Sequence, residues 1–445
     1  MPEQKDKSAR YVWVLLVLGA LARFPLMILL RHNPILVYSD FVYTQAAQDI
    51  LRLTFHALGD RVPLYPLLIA LCGVKPLWIW FAQSILGLAA GLMIFDMAFR
   101  RTRHGLYSLL VGLACSLTPE VLVYESSIMT EALTTFLLVA SVWLITRFDG
   151  AGESNIRYPL GLGAIVALAG LTRPLMMCLV PVYYCFLVPL WPPARILRRE
   201  TLKRTLLFAL PVAVGIFSWC GFNYFINGYF APSTYAGEHL MAQVDPYVDL
   251  APQRFAVLRD AWLQARWQIR GAPNTMAYMV YAGVLPKLER QTGKTEFQIA
   301  REYQSFALYM EIHYPLHCLR RAEQGWMKFW GEPTLDEVQW PEGGKVRVDE
   351  FLMTLADFLV REVEAVFLVL ALLSIPCALV GLKVFTKFDY LIFAIALWVS
   401  IFASFTEFGE NRRYCVPLYM LIIYTLMTLG WEWLSAISSK GAARA

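Results

Sequence analysis

The chain has 445 residues, of which 58% are hydrophobic and 16% charged, with a formal net charge of +5. Soluble domains carry charge on about a quarter of their residues, so this composition excludes a soluble globular protein and requires lipid as part of the solvent. Seven of the eight cysteines lie in or beside apolar runs and none forms a CxxC pair, which excludes a disulfide framework and leaves them as packing residues.

The first apolar run, Tyr11–Leu30, is about 20 residues long. That is enough to cross a bilayer core of about 30 Å and too long for the apolar region of a signal peptide, so it reads as an uncleaved first span. Further runs at 76–99, 105–122, 127–147, 158–173, 174–191, 205–222, 360–382, 388–405 and 415–435 bring the predicted total to ten. The predicted organisation is a membrane unit over 1–222 with a first outer loop at 31–75, an extracytoplasmic region over 223–350, and C-terminal membrane helices over 351–445.

Within the first loop, Ser39 and Asp40 open a predicted amphipathic helix that runs to Leu58 and stops at Gly59, with Tyr43, Ala47, Ile50 and Leu58 on one face. Spacing alone favours Asp40 as a helix N-terminal residue stabilised by the dipole, with a general base at the membrane surface as the alternative. The third and fourth spans are joined by LTPEVLVYESSIMTEAL, which brings Glu120, Glu125 and Glu131 to the outer mouth. Carboxylates near hydrocarbon are costly, so they are paired or functional, and pairing with outer arginines is their default role. In the long loop, 255–269 and 295–309 read as helices, and 314–330, rich in Trp, Arg and Lys, as an interfacial one. His313 and His317 lie four apart and would share a helix face, a weak metal signal.

Charge tests this arrangement. One alternating set of short loops and ends holds 17 basic residues and the opposite set seven, namely Arg31, Arg52, Arg61, Lys75, Arg173, Arg412 and Arg413. The positive-inside rule puts the first set, and with it both termini, in the cytoplasm, which agrees with an even number of spans. Region 223–350 is nearly balanced, with 13 Lys/Arg against 15 Asp/Glu, as expected of a long translocated segment. Arg61, Arg173, Arg412 and Arg413 each sit at the outer end of an apolar run. Snorkelling accounts for any one of them; four converging on one face would form a phosphate site, because guanidinium binds phosphate through paired hydrogen bonds.

Several ordered pieces together resemble a known family. They are an Arg near the end of the first span (ALARF, Arg23), an acidic residue with aromatics (SDFVYTQAAQDIL), DRVPLYPLLIAL with Tyr65, FAQSILGLAAG, TPEVLVYESSIMTEAL, GLTRPLMM, HYPLHCLRRAEQGWMKFW and GENRRYCVPLYMLIIY with Glu410. Over 11–190 and 310–435 the chain resembles the type C glycosyltransferases, in the branch of protein O-mannosyltransferases and lipid A aminoarabinose transferases; 235–300 matches nothing recognisable. The family often carries an acidic pair in the first loop, whereas here Asp40 is followed by Phe41.

The resemblance implies an all-α polytopic membrane fold, a polyprenyl-phosphate sugar as donor, and a lipid, glycan or protein hydroxyl as acceptor on the outer face of the inner (plasma) membrane. It makes Asp40 the general base and Arg61, Arg173, Arg412 and Arg413 the donor-phosphate ligands. Tyr43, Tyr65, Glu125, Glu131, Arg23 and Glu410 are further active-site candidates. It implies no required cofactor, though a divalent metal stays open, and no nucleic-acid partner. A transporter or flippase of lipid-linked saccharides is the alternative. It would carry charges deep in several spans or paired repeats, and neither is evident in the sequence.

Overall fold

The computed structural model describes residues 2–30, 40–59, 61–148, 155–188, 198–268, 283–332 and 347–442. Among them the protein is all-α, without a strand. The first half holds α1 (Pro2–Leu30), α2 (Asp40–Arg52), α3 (Leu64–Leu71), α4 (Pro76–Thr102), α5 (Gly105–Ser116), α6 (Pro119–Glu125), α7 (Glu131–Arg147), α8 (Arg157–Thr172), α9 (Leu179–Leu187) and α10 (Arg199–Asn227). Five helices follow between the membrane runs: α11 (Tyr235–Val244), α12 (Ala256–Gln268), α13 (Leu285–Thr292), α14 (Glu296–His313) and α15 (Pro315–Gly331). The chain closes with α16 (Arg347–Leu379), α17 (Lys387–Thr406) and α18 (Tyr419–Ala442).

Among the described residues, five helices are long and apolar enough to cross a bilayer: α4, α10, the Val360–Leu379 part of α16, α17, and the run Asn411–Ser438 that contains α18. Joining α5 to α6 across their 54° bend gives a sixth. All ten predicted runs are helical in whole or part, but several are broken or short. The predicted 105–122 run is divided at Thr118–Pro119, because proline lacks the N–H and crowds the preceding turn. Arg173 has φ −144°, extended backbone that ends α8 before Pro174, so the apolar stretch continues as a short 3-10 turn and then α9. α7 and α8, at 17 and 16 residues, fall just short of the length needed to cross about 30 Å upright.

Large apolar side chains point outward along these helices, among them Trp13, Leu206, Phe217, Val369 and Leu373. Faces of that kind need hydrocarbon against them, and an all-α polytopic membrane protein supplies the setting. The main core lies between the spans, around Ile94, Val142, Leu162, Ala396 and Met420. A second core, built on Met241, Trp262, Leu288, Tyr303 and Phe306, belongs to α11–α14.

One end of the bundle is marked by Arg101, which pairs with Asp389 at the start of α17 and Glu432 near the end of α18. Tyr11 of α1 packs beside Gly105 at that same end. The opposite end carries the turns after α2, α8, α10 and α17, and that is where the polar cavity forms.

Two local expectations change. α2 stops at Arg52 rather than at Leu58, since Leu53 (φ 58°) and Phe55 (φ 59°) take left-handed backbone, and a 3-10 turn over His56–Gly59 follows. His313 ends α14 while His317 lies in α15, so Pro315 puts them on different helices, and no metal-binding group of three ligands occurs among the described residues.

Candidate functional site

A cavity enclosing about 1010 Å³ of empty space, its open mouth included, lies between α2, the turn after α8, α11 and the end of α17. Arg61, Arg173 and Arg413 line it, each less than a tenth exposed. Each is delivered by a break in helical structure. Arg61 precedes α3, Arg173 caps α8 where Pro174 forces the chain straight, and Arg413 sits in the 3-10 turn Asn411–Tyr414.

Buried guanidiniums need anions, and one carboxylate serves two of these. Glu131 Oε1, at the first residue of α7, accepts from Arg173 Nη2 at 2.7 Å and from Arg413 Nε at 3.1 Å. Arg413 Nη1 also donates to Glu410 at 2.5 Å. Arg173 lies 4.7 Å from the Tyr414 ring centroid, and Arg61 lies 3.6 Å from that of Tyr235 and 5.4 Å from that of Tyr43. The aromatic faces support the cations without neutralising them. Among the described residues, Arg173 Nη1 and Glu131 Oε2 are buried with no hydrogen-bond partner.

His239 of α11 and Glu407, just past α17, are in direct contact on the opposite wall. Burial, with Arg61, Arg413 and Arg173 nearby, pushes the imidazole well below its ordinary range and keeps it neutral. Burial likewise pushes the Tyr235 phenol up, so it is a neutral hydrogen-bonding group.

The sequence candidates therefore divide. Tyr43, Arg61, Arg173, Arg413 and Glu410 line the cavity, and Glu131 braces it from behind. Arg412 does not join them. Successive residues of the 3-10 turn point in different directions, and Arg412 Nη1 is bonded to buried Glu364 of α16 at 2.6 Å and to the Phe329 carbonyl at 3.1 Å. Arg23 and Glu125 form a paired bridge, 2.6 Å at both contacts and sealed in the bundle. Tyr65 donates to Gln83 at 2.9 Å, and Gln83 in turn holds the Glu125 and Ser127 carbonyls, each at 2.8 Å. These three position the α4–α6 scaffold rather than the cavity. Asp40 begins α2, and its side chain lies outside the described residues.

Sequence reasoning passed over His239 and Glu407. The signal was faint: Glu407 ends the apolar run 388–405 in SFTEFGENRR, close before Arg412 and Arg413, while His239 falls in the stretch that resembled nothing.

Residues 64–219 match the family described as dolichyl-phosphate-mannose-protein mannosyltransferase. No curated protein and no solved structure matches the chain. The matched stretch runs from α3 through most of α10 and so includes Glu131 and Arg173. That match, together with the all-α membrane architecture, supports a membrane glycosyltransferase of type C.

Proposed function

We propose that the protein transfers a sugar from a polyprenyl-phosphate donor to an acceptor hydroxyl at the cavity, on the extracytoplasmic face of the plasma membrane. The observation that carries this reading is the convergence of Arg61, Arg173 and Arg413 on one cavity, with Arg173 Nη1 lacking an acceptor among the described residues. A phosphodiester oxygen supplies the acceptor that a buried guanidinium needs. Arg412, already bonded to Glu364, has no part in this binding set.

In this mechanism Asp40, at the start of α2 and on the same helix as the cavity residue Tyr43, takes the proton of the acceptor hydroxyl. The acceptor oxygen attacks the anomeric carbon from the face opposite the phosphate and inverts it. The bond from sugar to phosphate oxygen breaks, and its electron pair stays on the phosphate. The arginines stabilise the growing charge there, in a site whose burial strengthens each contact. A lipid, glycan or protein offers the hydroxyl.

The extracytoplasmic placement rests on the basic loops, which collect at the other end of the bundle with Arg100, Arg101 and Lys387. The test is transfer by purified protein from a radiolabelled polyprenyl-phosphate sugar. Asp40→Asn should lower turnover by about 10²–10⁴-fold while donor binding persists, because Asn keeps the size of Asp but accepts no proton. Near-normal turnover by that variant would reject Asp40 as the base. Passage of intact donor across vesicles, without cleavage of its sugar, would instead favour a flippase.

A further inference from the structure

We infer that His239, held by Glu407, is a fourth phosphate ligand of this cavity and takes up a proton as the phosphate binds. The inference deepens the donor-site reading and rests on it.

Charge balance leads to it. Three guanidiniums face the cavity, Arg61, Arg173 and Arg413, and among the described residues three carboxylates lie with them: Glu131, Glu407 and Glu410. Among these groups the signs cancel before any ligand arrives, and Asp40, the proposed base, adds only negative charge. A phosphodiester adds one negative charge to a buried space, where an uncompensated charge is costly. Transfer then leaves the electron pair of the broken bond on the phosphate, so a second negative charge appears in the same place.

The group able to answer that charge is already in position. Nδ1 of His239 contacts Glu407, so Nδ1–H donates to the carboxylate and Nε2 carries the lone pair. His239 lines the cavity and its side chain retains 16% exposure. Protonation at Nε2 makes a donor there, and Glu407 supports the imidazolium from the other side. The surroundings explain why the proton is absent until then. Among the described residues, the titratable and charged groups that line the cavity with His239 are Tyr235 on its own helix, Tyr43 of α2, Arg61 before α3, Arg173 at the end of α8, Glu407 after α17, and Glu410, Arg413 and Tyr414 of the following turn. Burial and the three arginines hold the imidazole neutral. A phosphate seated on those arginines cancels the field that repels the proton. Solvent supplies this proton, and the one released by the acceptor hydroxyl goes separately to the base.

Calorimetric titration with a dialkyl phosphate tests the inference. That probe keeps a single negative charge between about pH 5 and 8, so any pH dependence belongs to the protein. Titrations at pH 6 in two buffers of different ionisation enthalpy count the protons bound. The expected result is uptake of up to about one proton per phosphate, shrinking as pH rises, with affinity climbing by up to about tenfold per pH unit as pH falls. His239→Asn preserves a donor towards Glu407 but cannot charge; it should bind with no uptake and a flat pH profile. Glu407→Gln should move uptake to lower pH. Wild-type binding without uptake overturns the inference while leaving the arginine site intact. Unchanged uptake in His239→Asn assigns the proton elsewhere and overturns it too. If the wild-type protein does not bind the dialkyl phosphate at all, the donor-site reading falls and takes this inference with it.

Discussion

Arg412 and Arg413 are neighbours in sequence with opposite surroundings, and the difference predicts opposite phenotypes. Arg412 is 2% exposed and its bond to Glu364 is internal to the bundle. Arg412→Ala would strand a buried carboxylate, and breaking such a pair costs about 3–5 kcal/mol. The thermal midpoint in detergent should fall sharply, while protein that stays folded binds donor normally. Arg173→Ala should do the reverse. Loss of one charge-assisted contact costs about 1.5–3 kcal/mol, so donor affinity should drop roughly ten- to a hundredfold. Lys should restore little, since it lacks the planar paired donors. Donor titration and thermal unfolding of both variants separate the two roles. The sequence singled out all four outer arginines because the positive-inside bias leaves so few there. It could not tell Arg412 from Arg413, because their directions are set by a 3-10 turn packed between α15, α16 and α7. His239 and Glu407 were beyond reach for a related reason: their partnership spans more than 160 residues and is made only when α11 docks on α17.

At the scale of elements, proline and glycine decide where the cavity lies. Pro174, which falls between two predicted runs, places Arg173 at a helix end, whereas Pro119 divides a run read as continuous, and Glu131 opens α7 after the further break at Ser126–Thr130. The early end of α2 was not legible, because Leu53 and Phe55 adopt left-handed backbone without any glycine to announce it. Gly163 lets α8 lie close against α10: a methyl group there would lie on the Phe208 carbonyl, main chain that cannot move aside cheaply. Gly163→Ala should therefore push α8 outward, costing about 1–3 kcal/mol, the usual penalty of overpacking. Because Arg173 caps the same helix, donor affinity should weaken as well, although the substitution is far from the cavity. Thermal unfolding together with donor titration checks both effects; an unchanged midpoint would mean that the two helices separate freely.

For the molecule as a whole, the membrane class was plain from composition, but which runs cross unbroken was not. Apolar runs show where hydrocarbon is tolerated, whereas crossing also needs unbroken length, and α7, α8 and the Pro174–Leu187 stretch trade length for breaks that carry polar groups. The sidedness inferred from the basic loops can be measured with single cysteines in a background lacking the native eight. Asp260 of α12, with a well-exposed side chain, should accept an impermeant maleimide from outside intact cells once changed to cysteine. Leu382, between α16 and α17, should react only after the membrane is opened. The opposite pattern would invert the orientation and move the cavity to the cytoplasm.

The inward pairing of Arg412, with Glu131 and Glu410 set against Arg413, also fixes how a donor arrives. Four arginines near one rim would suggest an electropositive funnel that draws anions from solution. Once Glu364, Glu131, Glu407 and Glu410 are counted, little unbalanced charge projects beyond the rim, and the field at a Debye length of about 8 Å is weak. Long-range steering, which depends steeply on ionic strength, then contributes little to capture. The proposed lipid-borne donor would reach such a site by lateral diffusion in the membrane, with recognition beginning only at contact. Its apparent KM should accordingly change by less than about twofold between 50 and 300 mM salt, where a steered ligand would lose much of its association rate. Steady-state assays across that range decide between capture from the bilayer plane and capture from the aqueous phase.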